Sequence, residues 1–262
     1  MTKMTKMTKM TRKLAVLSDV HGNLTALEAV LADVAAQGAP DATWVLGDLA
    51  AFCPWPAETI ARLRELPNTA FLQGNTDRYL VTGRRPILPV HSPEDWASAP
   101  ARLAERDANF RWTVEHLPYA DYEFLRDLPT RLELDVPGYG RCVAVHANAQ
   151  DDETFLRPQA SADDLRTYFS GLDARLVLYG HTHHSLDRTL DFIRLVNPGS
   201  VGLPLDGDPR AAYALLEFEG GACTVTLRRV AYDRDAVIAE LERVGHPARS
   251  WVINRLRHAG GR

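Results

Sequence analysis

Five apolar runs in this chain end on residues able to hold a metal ion. LAVLSDVHGN closes on Asp19, His21 and Asn23, TWVLGD on Asp48, TAFLQGNTD on Asn75 and Asp77, CVAVHAN on His146, and RLVLYGHTH on His181 and His183. One such ending is expected by chance. Five argue that strands far apart in sequence bring their carboxyl ends to one place. Asp19, His21, Asp48, Asn75, His146, His181 and His183 form a carboxylate, imidazole and amide set without thiolate. That set suits manganese, iron, zinc or a similar divalent ion in a reactive site, not a structural zinc. Seven ligands are too many for one tetrahedral centre. They are a natural number for two adjacent ions sharing a bridge, because one carboxylate has two oxygens.

The elements around these residues must hold them at one sheet edge, where the ligand crevices of open α/β sheets lie. After the first cluster, Leu24, Leu27, Val30, Leu31 and Val34 recur at helical spacing, with Asn23 as a plausible N-cap and Gly38 as a stop. The ATWVLGD strand leads into the proline-bounded loop LAAFCPWP, then a helix over Glu58 to Leu66 and a strand over Thr69 to Leu72. Strand alternating with helix predicts parallel pairing with right-handed crossovers. From Tyr79 to Pro129 the pattern changes. Gly83, Pro86, Pro89, Pro93 and Pro100 precede helical segments at Arg102 to His116 and Tyr119 to Leu128. This reads as an insertion, either a cap over the site or a packed connector without substrate contact.

The second half starts with a hairpin of Arg131 to Val136 and Arg141 to Val145, followed by a helix over Ala162 to Ser170. Strands follow at Arg175 to Tyr179 and Asp191 to Val196, then a hairpin of Ala211 to Glu219 and Ala222 to Val230 around Gly220-Gly221. Helices over Arg234 to Val244 and Ala248 to His258 close the chain. Parallel units plus hairpins imply two sheets packed face to face with helices outside.

A formal net charge of -4 over 262 residues gives no general attraction to a polyanion, which argues against extended nucleic-acid binding. A small phosphorylated substrate remains open, since bound metals supply positive charge locally. Cys53, Cys142 and Cys223 are odd in number and lack a CxxC pair, so they read as reduced thiols, not as a disulfide framework. No run is long enough to cross a membrane and no apolar leader opens the chain, and the reading is a cytoplasmic protein. All four methionines lie at positions 1, 4, 7 and 10. Residues 1–12 read as a flexible tail, with Met10 as an alternative start. Residues 13–262 read as one domain that includes the 79–130 insertion.

The motifs DVH, GD, GN, a lone His after an apolar strand, and GHTH, with NPGS at Asn197 to Ser200, resemble the calcineurin-like metallophosphoesterases. The similarity is greatest to their small bacterial and archaeal phosphodiesterase-like branch. It runs from Leu14 to about Gly202. The resemblance implies a four-layered αββα sandwich of two mixed β-sheets flanked by helices, here with a mainly helical insertion. It implies Asp19, His21 and His183 as ligands of a first metal, Asn75, His146 and His181 as ligands of a second, and Asp48 as the bridge. Asp48, Asn75 and His146 are then also the expected catalytic residues. A metal-bridging hydroxide would attack phosphorus in line while the ions neutralise charge on the phosphoryl oxygens.

One departure from the family pattern matters. Many members carry GNH followed by Asp or Glu, and that His protonates the leaving oxygen or orients the phosphate. Here the stretch is Gly74-Asn75-Thr76-Asp77. A threonine hydroxyl is far too weak an acid near neutral pH to replace an imidazolium. The sequence therefore predicts a preference for phosphodiesters or nucleotide polyphosphates over alkyl phosphomonoesters and phosphoproteins. Further substrate contacts are expected from Asn23, Thr76, His184, and Phe52 and Trp55 stacking on a nucleobase. The bland alternatives are a helix cap for Asn23, a surface neighbour for His184 and burial for the two rings. Arg84 and Arg85 read as a phosphate clamp or a solvated pair. His91, His116, His246 and His258 have no partner pattern. The alternative functions are a protein serine/threonine phosphatase and a non-catalytic scaffold of the same fold.

Overall fold

The computed structural model describes residues 13–85 and 90–260. The expected tail over residues 1–12 lies outside them. The strands are β1 (Lys13–Leu17), β2 (Ala42–Val45), β3 (Thr69–Phe71), β4 (Arg131–Val136), β5 (Gly140–Val145), β6 (Leu176–Leu178), β7 (Leu186–Leu190), β8 (Ile193–Asn197), β9 (Ala211–Glu219) and β10 (Ala222–Val230). The helices are α1 (Leu24–Ala36), α2 (Pro56–Arg64), α3 (Asn75–Thr82), α4 (Pro93–Glu115), α5 (Tyr119–Arg126), α6 (Ala162–Phe169), α7 (Arg234–Arg243) and α8 (Arg249–His258). The strands make two five-stranded mixed sheets, in the orders β10-β9-β1-β2-β3 and β4-β5-β6-β8-β7. β1, β2 and β3 run parallel in the first, and β5, β6 and β8 in the second.

The two-residue alternation of side chains along the strands sorts the core into layers. Leu14, Val16, Trp44, Leu46, Ala214 and Leu216 of the first sheet meet Leu132, Leu134, Cys142, Leu176, Leu178 and Val196 of the second. Their neighbours face outward. Ala15, Leu17, Val45 and Tyr213 pack under Leu27 and Val30 of α1 and Ile60 and Leu63 of α2. Val143, Val177 and Leu195 of the second sheet pack under Leu165 and Phe169 of α6. The order helix, sheet, sheet, helix is the expected αββα sandwich. Each aliphatic side chain removed from water in these layers contributes about 1.5–3 kcal/mol. No helix of the described residues is long and apolar enough to cross a membrane.

Four elements differ from the sequence expectation, the first being α3, a helix over Asn75–Thr82 that was not expected. Leu186–Leu190 forms a strand that was not expected, because only Leu190 of it is buried and the apolar signal is weak. The strand expected from Asp191 begins at Ile193, since Asp191 (φ 53°) and the exposed Phe192 form the turn that pairs it with β7. The largest difference is α4, which starts at Pro93 and runs through Pro100 instead of beginning near Arg102. Ser92 caps it by accepting from the Asp95 N–H at 3.1 Å, and Pro93 sits in the first turn, where an N–H has no helical partner anyway. Pro100 costs an isolated helix about 3 kcal/mol. Burial of Ala99 and Phe110 on one face opposes that cost.

The terminal helices buttress the loops that follow the strands. Val237, Leu241, Val252 and Leu256 of α7 and α8 form one apolar cluster with Cys53 and Leu203. The loops after β2 and β8 are thus held from behind.

Candidate metal centre

Every ligating candidate lies just past the carboxyl end of a strand. Asp19 and His21 follow β1, Asp48 follows β2, Asn75 opens α3 after β3, His146 follows β5, and His181 and His183 follow β6. Because these strands are parallel within their sheets, the ends share one edge, and the two sheets bring all seven residues together. Ligand atoms of Asp19, His21 and His183 lie within 4.8 Å of one another, as do those of Asp48, His146 and His181. Asp48 stands between the groups. Its Oδ2 is 3.7 Å from His21 Nε2 and its Oδ1 3.5 Å from His146 Nε2. Asn75 Oδ1 faces His146 Nε2 at 3.0 Å and His181 Nδ1 at 3.1 Å.

Backbone conformation aims these side chains. Asp19, His21, Asp48, His181 and His183 all have φ between 54° and 65°. Non-glycine residues in this left-handed region cost on the order of 1–3 kcal/mol each and persist only where the surroundings hold them. The holding contacts are visible. The N–H groups of Asp19, His21 and Gly22 donate to the carbonyls of Gly47, Asp48 and Leu49 at 3.1, 2.9 and 2.8 Å, which ties the first loop to the second. Two glycines allow the close approach. A Cβ on Gly74 would lie 2.2 Å from Asp48 Oδ1, and one on Gly180 would lie 1.9 Å from Ser18 Oγ.

The ring nitrogens show that the residues fit a pair of cations. His21, His146 and His183 each donate Nδ1–H to a backbone carbonyl, at Ala51 (3.1 Å), Leu46 (2.7 Å) and Leu203 (2.5 Å). His181 instead donates Nε2–H to the Glu153 carbonyl at 2.9 Å. Each bond fixes a tautomer and turns the remaining lone pair inward. Those lone pairs meet other acceptors. The two Nε2 atoms of His21 and His183 are 3.1 Å apart, and Asp19 Oδ1, buried without a hydrogen-bond partner, is 3.3 Å from His183 Nε2. Acceptors converging on acceptors are the arrangement a divalent ion resolves.

The electrostatics agree. Burial alone would raise Asp19 and Asp48, but His183 beside the first, and His146 and His21 beside the second, hold both below the usual carboxylate range. Burial pulls His21 down to about 4 and also lowers His181. Burial opposes charge on His146 as well, yet Asp48 outweighs it and lifts the ring to about 10. Asp19 raises His183 against burial in the same way. Both carboxylates draw positive charge toward them, which is what bound cations supply.

The supporting shell was only partly visible in the sequence. Asp77, grouped with Asn75 in the motif but given no role of its own, accepts from the N–H groups of Asp48 (2.8 Å), Leu49 (2.9 Å) and Gly74 (3.0 Å). Asn197 donates to the Gly180 carbonyl at 2.7 Å, and Ser200 donates to the Asp19 carbonyl at 2.7 Å. The NPGS stretch therefore locks the loop after β6 and the loop after β1 into one frame.

A cavity of about 450 Å³ opens beside the centre, lined by His21, Asp48, Asn75, His181 and His183 and by residues of α4 and α8. Of the expected substrate contacts, Thr76 and Phe52 line it. The Phe52 ring stands 5.1 Å from that of His21. Asn23, Trp55 and His184 do not line it. Asn23 caps α1 by accepting from Ala26 N–H at 3.1 Å and donates to the Gly202 carbonyl at 2.9 Å, so its amide is engaged within the fold. Trp55 packs on the α7 and α8 cluster. The Nδ1 of His184 bonds the Thr182 carbonyl at 2.5 Å. The lining rings missed by sequence reasoning are Tyr79, Phe110, Phe155 and Trp251, the last brought by α8 to 5.1 Å from Phe52. Arg85 donates to the carbonyls of Tyr79 and Arg84 at 2.8 and 2.9 Å and lies over the Phe110 ring, a structural use instead of a phosphate clamp.

Residues 13–221 match the calcineurin-like phosphoesterase superfamily domain. Protein MJ0912 of Methanocaldococcus jannaschii is 30% identical over 237 residues, covering 84% of this chain and 88% of that protein. The crystal structure of a metallophosphoesterase from Sphaerobacter thermophilus, 29% identical, superposes with a TM-score of 0.74 over 95% of this chain and 99% of that one. The hypothetical protein PH1004 from Pyrococcus horikoshii OT3 shares the fold with a TM-score of 0.80 at 22% identity, over 95% of this chain and 99% of its own.

Proposed function

The chain belongs to the calcineurin-like phosphoesterase superfamily, and from that premise we propose that it is a dinuclear metal-dependent phosphodiesterase acting on small phosphorylated substrates, nucleotides among them. The observation that carries this reading is Asp48, with one oxygen turned to each of two ligand groups. Asp19, His21 and His183 would hold one ion, and Asn75, His146 and His181 the other. Manganese, iron and zinc all suit these nitrogen and oxygen atoms. Bound there, two divalent ions supply a water of lowered pKa as nucleophile and neutralise charge developing on the phosphoryl oxygens.

The chain's own residues supply orientation. Asp48 Oδ1 accepts the Thr76 N–H at 2.9 Å, so the bridging carboxylate and the first turn of α3 move as one piece. Phe52, Phe110, Phe155 and Trp251 put apolar surface beside the reacting face. Thr76 stands where an acid would be wanted, and its hydroxyl cannot protonate a leaving alkoxide at neutral pH. Leaving groups stable as anions are therefore favoured, such as an aryl oxide or the phosphate of an anhydride. Cys53, Cys142 and Cys223 are free thiols, which supports the cytoplasm as the working location.

Elemental analysis of the purified protein is expected to give two divalent ions per chain. Initial rates are expected to be higher on a diester or a dinucleoside polyphosphate than on a phosphoserine peptide. Fastest turnover of the peptide would reject the diesterase reading in favour of a protein phosphatase. No bound metal and no activity would reject catalysis altogether.

A further inference from the structure

Asn109 lies on the inner face of α4, 1% exposed, and lines the cavity beside the candidate metal centre. Neither Nδ2 nor Oδ1 of its carboxamide has a hydrogen-bond partner. The Thr76 hydroxyl, buried in the same cavity, is also without one. Burying a donor and an acceptor unmatched costs stability, and native folds avoid it unless the group serves something else. Both residues line a space large enough for a nucleoside.

The chemistry of the amide narrows the ligand. A phosphoryl group offers only acceptors, so it satisfies Nδ2 but sets like against like at Oδ1. Both atoms are satisfied at once by a planar edge carrying a donor beside an acceptor, and the edge of a nucleobase has that pattern. The walls suit the same ligand. Phe52, Phe110, Phe155 and Trp251 line the cavity, and aromatic faces stack on any base. Arg102 and Arg106 stand two turns and one turn before Asn109 on the same helix and line the same cavity with Glu105, so this wall carries two positive charges against one negative near any phosphates beyond the first.

We propose that α4 builds a nucleoside subsite beside the metal centre, in which Asn109 reads the edge of the base and thereby determines specificity. This rests on the diesterase reading for its reaction, although the binding event can be measured without it. The insertion is then a substrate-reading cap and not a packed connector.

The test compares the wild type with Asn109→Leu, which keeps the side-chain volume and removes both polar atoms. Two substrates release the same nitrophenolate: thymidine 5′-monophosphate p-nitrophenyl ester, which has a base edge, and bis(p-nitrophenyl) phosphate, which has none. The ratio of kcat/KM between them is expected to fall about tenfold in N109L, mainly through KM on the thymidine ester. Binding of thymidine 5′-monophosphate to the full chain without added metal, followed by calorimetry, is expected to weaken by a similar factor. Binding of ribose 5-phosphate is expected to be little changed. The melting temperature of N109L should equal or exceed that of the wild type, because an unmatched buried amide has been removed. Should N109L fail to fold, Asn109→Ser provides the same comparison with a smaller side chain.

A ratio unchanged within twofold overturns the proposal, as does a wild type that binds no thymidine 5′-monophosphate. Equal weakening of ribose 5-phosphate assigns the amide to the sugar and overturns base reading. If the wild type hydrolyses neither ester, the diesterase reading fails while the calorimetric comparison still decides the subsite.

Discussion

His21 and His183, separated by 162 positions in the chain, present their Nε2 atoms to each other at 3.1 Å while each Nδ1–H is committed to a backbone carbonyl. Two lone pairs cannot rest against each other at that distance without a positive charge between them, either a proton on one ring or a bound cation. The pair belongs to opposite sheets, and the same logic repeats between His146 and Asn75.

Metal removal is therefore expected to cost stability as well as activity. Ions that bind only the folded chain add about 2.7 kcal/mol per site when free metal exceeds the dissociation constant a hundredfold. Dialysis against a chelator should abolish diester hydrolysis and lower the melting temperature, and manganese should restore both. A chelated protein that melts unchanged would argue against occupancy of either group.

Asp48→Asn keeps the volume of the side chain and removes one of the two anionic oxygens. Metal content should fall below two ions per chain, and kcat/KM should drop by roughly 10² or more, as when a positioned electrostatic group is lost. Metal-free stability should move by no more than about 1 kcal/mol, within the usual range for an isosteric change. Full activity in D48N would remove the bridge from the mechanism.

Gly74→Ala should be among the costliest single methyl additions in the protein. The new Cβ would lie 2.2 Å from Asp48 Oδ1 and 2.4 Å from Asp48 N, both in a buried loop. A loss of about 2–4 kcal/mol is expected from forced displacement there. Gly83→Ala is the control. Its φ is 70° but nothing lies within 4 Å of its Cβ position, so only the left-handed backbone penalty of about 1–2 kcal/mol applies. Urea midpoints that rank G74A as no worse than G83A would contradict the steric account.

Acid sensitivity should carry a contribution from His246, a buried ring packed at 4.4 Å against Trp112, whose Nδ1 accepts from the Ala248 N–H at 3.3 Å. Burial pulls it from 6.5 down to about 4, with His116 and Arg249 adding to the effect. Between those values the unfolded chain binds a proton that the folded chain refuses. The contribution is thus complete above about pH 6.5 and is lost as pH falls toward 4, roughly 3 kcal/mol in all. Urea midpoints of chelated wild type and His246→Leu at pH 7.5 and 4.5 should diverge accordingly. A parallel decline in both would assign the acid sensitivity elsewhere.

The convergence of the candidate ligands was legible because each follows a run whose period and β-branched content mark a strand end, and because Asp, His and Asn in such places have few structural uses in common. The sheets were legible for the same reason. Trp55 was expected at the cavity from its nearness in sequence to Asp48, but a terminal helix delivers Trp251 there instead. Local sequence carries no record of such a long-range placement. Asn109 was likewise invisible. It sits in a helix whose proline-rich start reads as loop, and an amide on a helix face looks the same whether it meets solvent or a chamber. Asp77 was in plain view within GNTD, yet its three backbone partners belong to positions 48, 49 and 74, and only coordinates join them.

The division of the ligating set between the two sheets bears on how the molecule assembles. Asp19, His21, Asp48 and Asn75 come from the amino-terminal sheet, and His146, His181 and His183 from the other. Neither half alone encloses a complete cation cage, so the cage arises only after the slabs have docked across their shared aliphatic layer. Ions held by both halves would therefore be captured late in folding, and would act as a clasp across a seam that hydrophobic contact had already closed.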